Sequence, residues 1–230
     1  MRAFWWLAIA LPLTWPPAAA QQPPKVIMVD VTFFPSEFNE FSKARERLDS
    51  LVAQRLRDAG FTVIPAESSE AVWNRQVDSV GGFYDTYTGK LVQEKFKAVR
   101  AGALREMRTR FRADAWLHPV LQVRTASFDG SQVDWDGVRE PSGAVGGAIR
   151  LLFGSDAGTT SALSLMVQAE DMDGKTFYTR AGGIQLLMKV YREGLLPVPR
   201  ETVFAVDSLS VRAVRIALDA LTPAALDSIH

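Results

Sequence analysis

Between Ser161 and Leu187 the apolar positions recur with a period of two. Leu163, Leu165, Val167 and Ala169 alternate with Ser164, Met166, Gln168 and Glu170. Successive side chains of a strand point to opposite faces, so this run predicts a strand with one face on a core and a more polar face behind it. Phe177, Thr179 and Ala181 then alternate with Tyr178 and Arg180 as far as Gly182-Gly183, where a bulge or the close approach of another backbone is expected. Between the two runs lies Asp173-Gly174, a pair able to take the positive φ angles of a tight type I′ turn. The pattern therefore predicts a long antiparallel hairpin over 161–187. A lone hairpin is marginal in water, so further strands must extend it and helices must cover it.

The rest of the chain supplies both. Lys25 to Phe34 is apolar on both faces except for Asp30 and Thr32, as in a strand covered on two sides. Pro35 breaks it, and Ser36 can cap the next helix. Phe41, Ala44, Leu48, Leu51, Val52, Leu56 and Ala59 fall at helical spacing, predicting a helix over about 40–59 closed by Gly60. Phe61 to Ile64 is a second strand, stopped by Pro65, and a strand–helix–strand crossover favours parallel pairing. Ser68 or Ser69 can cap a short helix through Trp73. A longer helix is expected over about 90–112, with Leu91, Val99, Leu104, Met107 and Phe111 among its apolar positions. Trp116 to Phe128 is a strand in which Pro119, having no N–H, suggests an edge or a bulge. Asp129-Gly130 turns it into a short return strand, Gln132 to Trp135. A glycine-rich insert spans 139–160, residues 191–205 read as irregular, and a last helix over 207–221 starts at Asp207 or Ser208 and stops before Pro223. The fold class is α/β (α+β): a sandwich of a mixed sheet, carrying the 161–187 hairpin, under helices at about 40–59, 90–112 and 207–221.

Composition narrows the function classes. Lys plus Arg equals Asp plus Glu at 26 each, which gives no net field toward nucleic acid or an anionic membrane. The absence of cysteine removes disulfides, thiolate nucleophiles, cysteine metal sites and a lipobox anchor. Residues 1–20 read as a secretory signal peptide. Arg2 is the charged start, Phe4 to Leu13 the apolar centre, and Ala18-x-Ala20 the cleavage site. An uncleaved anchor is the alternative, although spanning a bilayer takes about 20 apolar residues. The remaining 21–230 reads as one domain, exported to the periplasm or secreted.

Sites of chemistry are sparse. His118 and His230 are the only histidines, the second being the last residue. A lone strand histidine is more often packed than a ligand, and zinc spacings such as HxxxH are absent. Asp171 and Asp173 form turns before they bind calcium, because the twelfth-position glutamate of a calcium loop is missing. The glycines of the insert lack the GK[ST] of a phosphate loop, and no G-x-S-x-G occurs. Asp30, Asp114 and Glu170 could serve an enzyme, but no spacing selects them. No catalytic, cofactor-binding or metal-binding residue is assigned. The basic residues of 90–110 are scattered round the helix and read as a solvated face. The glycine-bracketed loop 81–89 holds Phe83, Tyr84, Asp85 and Tyr87, which either cover the end of the sheet or contact a partner. In the insert, Ile149, Leu151, Leu152 and Phe153 are a candidate membrane or interface loop.

Three short motifs in order, Gly60-Phe61-Thr62-Val63-Ile64-Pro65, Ala113-Asp114 before a long strand, and Asp171-Met172-Asp173-Gly174 joining two long strands, resemble the periplasmic α/β domain of CsgG-like proteins. They are similar also to the amino-terminal domain of TolB and related small envelope proteins. That resemblance implies envelope assembly, transport accessory or scaffold work, with other envelope proteins or copies of the chain as partners, and no catalysis. The expected function is thus a non-catalytic envelope interaction module. The alternative is a small-ligand binder or hydrolase with a cleft at the strand ends. Intact-mass analysis of the exported protein should find it starting at or near Gln21; exported protein that keeps residues 1–20 would refute cleavage.

Overall fold

A computed structural model describes residues 24–129, 132–141, 157–191 and 194–227. The predicted hairpin is there and is longer than its apolar pattern. β6 (Ala157–Asp171) runs into β7 (Thr176–Leu186). β6 also pairs antiparallel with β3 (Ala115–Asp129) along the full length of both strands. β1 (Val26–Val29) lies parallel to β3 on its other side, and β2 (Thr62–Ile64) lies parallel to β1. The far end of β3 carries β4 (Gln132–Trp135) and β5 (Val138–Pro141), completing a mixed sheet of seven strands.

Helices cover both faces. On one, α1 (Ser42–Asp58) and α4 (Asp207–Leu218) bury Leu48, Val52, Leu56, Ala213 and Ala217 against Ile27, Leu117, Leu121, Leu163 and Leu165. On the other, α2 (Ala66–Ser79) and α3 (Gln93–Phe111) bury Val72, Ala103, Leu104 and Met107 against Met28 and Trp116. A third cluster, including Phe128, Trp135, Val138 and Leu186, fills the β4–β5 end. The period of two thus assigns Leu163, Leu165, Val167 and Ala169 to the α1/α4 side, all fully buried. No described helix is long and apolar enough to cross a membrane.

Several expectations are corrected. Ser36 does not cap α1; it opens a one-turn 3-10 helix, Ser36–Phe38, and α1 begins at Ser42 with no side-chain cap. α2 begins at Ala66, directly after Pro65, so Ser69 lies inside it and is buried. Residues 191–205 are not wholly irregular. Met188–Tyr191 (β8) pairs with Gly194–Pro197 (β9), and Arg200–Thr202 is a 3-10 turn. Pro223 does not merely follow the last helix, which ends at Leu218; it opens a short α5 (Pro223–Asp227).

Pro119 sits in a central strand rather than at an edge, paired with Val167 of β6. Its missing donor is tolerated because that side of β3 faces a break in its neighbour. Beyond β1 the contacts are Asp30 N to Leu117 O at 2.9 Å and Phe33 N to Pro119 O at 2.9 Å, with Leu121 N returning to Phe33 O at 2.8 Å. The residues between leave the ladder. The irregularity that proline demands is therefore in the neighbouring segment, and it coincides with the carboxyl end of β1.

The hairpin turn is also not a two-residue type I′ turn. Gly174 alone has positive φ, +79°, and its N–H donates to Asp171 O at 3.0 Å, while the Asp171 carboxylate accepts from the N–H of Asp173 and Lys175 at 2.9 Å each. This is a turn followed by a left-handed glycine, the next most common hairpin solution. Gly182 and Gly183 meet both expectations made of them. A register shift opposite Leu163/Ser164 marks a bulge, and a Cβ on Gly182 would lie 2.0 Å from Ala213 O in α4. Gly182→Ala must push the helix off the sheet, so urea denaturation should show a loss of about 1–3 kcal/mol. An unchanged midpoint would mean that α4 does not seat on β7.

Candidate functional site

The α2/α3 side of the sheet is not apolar throughout. On that face β1 presents Val26 and Met28 and then, just past its end, Asp30. β3 presents Trp116 and His118, and β6 presents Gln168 and Glu170. The register places Trp116 opposite Glu170, His118 opposite Gln168, and Met28 beside Trp116. Three strands thus bring together Asp30, His118 and Glu170. They form the floor of a cleft of about 650 Å³ between the sheet and α2/α3. Its wall is aromatic, with Trp73 from α2 and Phe96 from α3, and its rim carries Glu70, Asn74 and Arg100.

Asp30 is held from two directions. Trp116 Nε1 donates to its Oδ1 at 2.7 Å, and His118 Nδ1 lies 2.7 Å from its Oδ2. The loop that carries it is fixed in turn by Asp49 of α1, whose Oδ1 accepts from Thr32 N at 2.8 Å and Thr32 Oγ1 at 2.5 Å. Burial pushes the Asp49 carboxyl up from its ordinary pKa, opposed by the Thr32 hydrogen bonds. Across the ring, His118 Nε2 lies 3.4 Å from Glu170 Oε1, an ion-pair distance without hydrogen-bond geometry. Glu170 is only 2% exposed and pairs with Arg100, which also donates to Gly174 O at 3.1 Å. A buried carboxylate of this kind needs its partner, because an uncompensated charge in the interior costs several kcal/mol.

His118, 27% exposed, therefore sits between two carboxylates. Burial alone would lower its pKa. The hydrogen bond to Asp30, then the approach of Glu170 and the charges of both, outweigh burial and raise it from 6.5 to about 9. At neutral pH the ring is an imidazolium with both nitrogens turned toward carboxylates, which leaves no basic nitrogen to accept a proton. Ser69, at the cleft floor, donates toward Val29 O at 3.2 Å and Ala66 O at 2.9 Å, tying α2 to β1 rather than meeting His118. Asp30, His118 and Glu170 are strung in line, not convergent on one point. Among the described residues no group of three or more histidine or acidic side chains is arranged to hold a metal ion.

Residues 83–92 form a small hairpin behind the aromatic wall, with Asp85 N bonded to Lys90 O and Val92 N to Phe83 O, both at 2.8 Å. Phe83 packs against that wall. It is half-buried, its ring 6.1 Å from that of Trp73 and 5.5 Å from that of Phe96. Asp85 is a turn former, accepting from Tyr87 N at 3.0 Å and from Thr88 N at 2.7 Å. Tyr84 and Tyr87 are exposed, at 59% and 97%. Ile149, Leu151, Leu152 and Phe153 lie outside the described residues. Asp114 stands apart from the cleft, its Oδ2 accepting from Val26 N at 2.7 Å.

Sequence reasoning named Asp30 and Glu170 with Asp114 as carboxylates that no spacing selects, treated His118 apart from them, and assigned no site role to Trp73, Phe96 or Arg100. The available signal was parity: Trp116 and His118 are polar-capable residues two apart in one strand, as are Gln168 and Glu170 in another. No protein-family model matches the chain, and no curated protein matches it in sequence.

The titration of His118 has a stability consequence. Its folded pKa lies above its unfolded value, so protonation favours the folded state. The contribution is full below pH 6.5 and fades as pH rises to about 9. At 1.36 kcal/mol per pKa unit it is on the order of 3 kcal/mol. Denaturation at pH 6 and pH 9.5 should show the native protein losing more stability than His118→Gln over that interval; equal losses would show that His118 is not held as a cation.

Proposed function

We propose that this protein is an exported, non-catalytic accessory of the cell envelope, and that it works by binding a small ligand in the cleft between the sheet and α2/α3. The observation that carries the binding reading is His118 on the cleft floor, bonded through Nδ1 to Asp30 and facing the Glu170 carboxylate across the ring at 3.4 Å. That arrangement builds a fixed polar floor and leaves the imidazolium of His118 no lone pair with which to act as a general base. Its location fits as well: open α/β sheets place ligands beyond the carboxyl ends of parallel strands, and the cleft opens where β1 ends at Asp30. Three rings and a few polar groups in about 650 Å³ match the size and make-up of small-molecule sites.

The envelope setting is supported by the signal-peptide pattern of residues 1–20 and by the resemblance to CsgG-like and TolB amino-terminal domains. A protein partner, another envelope protein or a second copy, would meet the exposed Tyr84 and Tyr87 on the 83–92 hairpin. Tyrosine is favoured at such contacts because it offers area and a hydroxyl together.

A thermal-shift screen of small polar metabolites against the mature chain tests this reading. A ligand present at 100 times its Kd stabilises by about 2.7 kcal/mol. Ligands found in this way should lose their effect on Asn74→Trp, which fills the exposed rim of the cleft. Hits that stabilise Asn74→Trp equally would place the site elsewhere. No hit, together with an envelope partner lost on replacing Tyr84 and Tyr87 by alanine, would move the function from the cleft to the hairpin.

A further inference from the structure

We propose that the ligand of this cleft is a small organic ammonium ion with a compact apolar body, an inference that rests on the cleft being the binding site. The polar groups of the cleft divide unequally into donors and acceptors. Its charged donors are largely committed: Arg100 Nη2 bonds Glu170 and the Gly174 carbonyl, His118 Nδ1 bonds Asp30, and His118 Nε2 faces Glu170 at ion-pair distance. The Trp116 N–H is taken by Asp30. The acceptors are not exhausted. Glu170 Oε1 is buried in the floor with the charge of His118 at 3.4 Å but no hydrogen bond, and the exposed Glu70 on the rim makes no ion pair among the described residues. A buried carboxylate oxygen left short of a donor is costly, and a ligand that brings N–H groups relieves that cost.

Charge points the same way. Asp30, Glu70 and Glu170 set three carboxylates against the two cations Arg100 and His118, which leaves one negative charge on the lining. An anionic ligand would meet an excess of carboxylates, and at Arg100 could reach only the donors other than the Nη2 already bonded to Glu170 and Gly174. An ammonium ion has three donors and no acceptor, the complement of what remains. The wall selects the rest of the molecule. Trp73 links the rings of the wall, its centroid 5.9 Å from that of Phe96 and 6.0 Å from that of Trp116. Cations favour aromatic faces, tryptophan most of all, and the same rings cover an apolar body. Phe83 and the 83–92 hairpin back that wall, so the rings are held in place before a ligand arrives.

Three probes of one shape separate charge from fit: benzylammonium, benzyl alcohol and benzoate, titrated at pH 7 into the mature protein by calorimetry, with tryptophan fluorescence as a second readout. Benzylammonium should bind about tenfold or more tighter than benzyl alcohol, the scale of a partly desolvated cation–aromatic contact, and benzoate should not bind. Glu70→Gln, at the exposed rim, should narrow the preference for the ammonium over the alcohol. Glu170→Gln should narrow it further, and if that variant fails to fold, Glu70→Gln and Trp73→Leu carry the test. Benzyl alcohol or benzoate binding as tightly as benzylammonium would overturn the ammonium assignment and leave the cleft as the site. The assignment also falls, with the cleft kept as the site, if none of the three binds while a screened metabolite does so and is lost on Asn74→Trp. If no probe binds and no screened compound is sensitive to Asn74→Trp, both the assignment and the cleft reading fall.

Discussion

The unbroken pairing of β3 with β6, from Ala115 opposite Asp171 to Asp129 opposite Ala157, is the constraint on which the rest of this structure depends. Once those two strands are in register, every side chain on either has its face assigned. A slip of one residue would send Leu117, Leu121, Leu165 and Val167 to the charged side, and His118 and Glu170 into the apolar layer under α1 and α4. The apolar face therefore fixes the polar one. Burial of the leucines and valines on one side holds His118, Glu170 and Gln168 on the other, and Asp30, just past β1, is brought to them by its bonds to Trp116 and His118.

The helices complete the site in different ways. α2 contributes a ring, Trp73, and a buried hydroxyl, Ser69, that ties it to the end of β1. α3 contributes the counter-charge, Arg100, without which Glu170 would be an uncompensated carboxylate in the interior. Two other arginines of α3 are paired as well, Arg108 with Asp173 of the hairpin turn and Arg110 with Glu106 on the helix itself. The basic face of this helix is thus largely satisfied by the protein's own carboxylates, in keeping with the overall balance of charge.

Much of the fold was legible because its signals are local. The alternation from Leu163 to Ala169, the helical spacing from Phe41 to Ala59, and the crossover between Val26 and Ile64 each reside within a few turns of chain, and each element formed as its pattern predicts. The cap at Ser36 failed, and of the edge or bulge expected at Pro119 the edge did, because neighbours distant in sequence decide them: Pro119 is accommodated by a break in the β1–β3 ladder near Val31. The cleft failed for the same reason in stronger form. Asp30 and His118 are 88 residues apart, and Arg100 and Glu170 are 70 apart. Nothing local to any of them reports the others. What could be read was parity, which placed Glu170 and Gln168 on the face opposite the leucines; the missing step was the register that sets Trp116 and His118 beside them.

Arg100 grips both the Glu170 carboxylate and the Gly174 carbonyl, so the tip of the β6–β7 hairpin and the floor of the cleft share one side chain. In evolutionary terms the two are not independent characters. A lineage that lengthens or reshapes the turn at 171–175 moves the anchor of the cleft's counter-charge, and must restore it from elsewhere or neutralise position 170. Insertions at hairpin tips are ordinarily among the best tolerated of changes; in this fold the loop-length variation that other hairpins accept freely is coupled through Arg100 to the floor of the cleft.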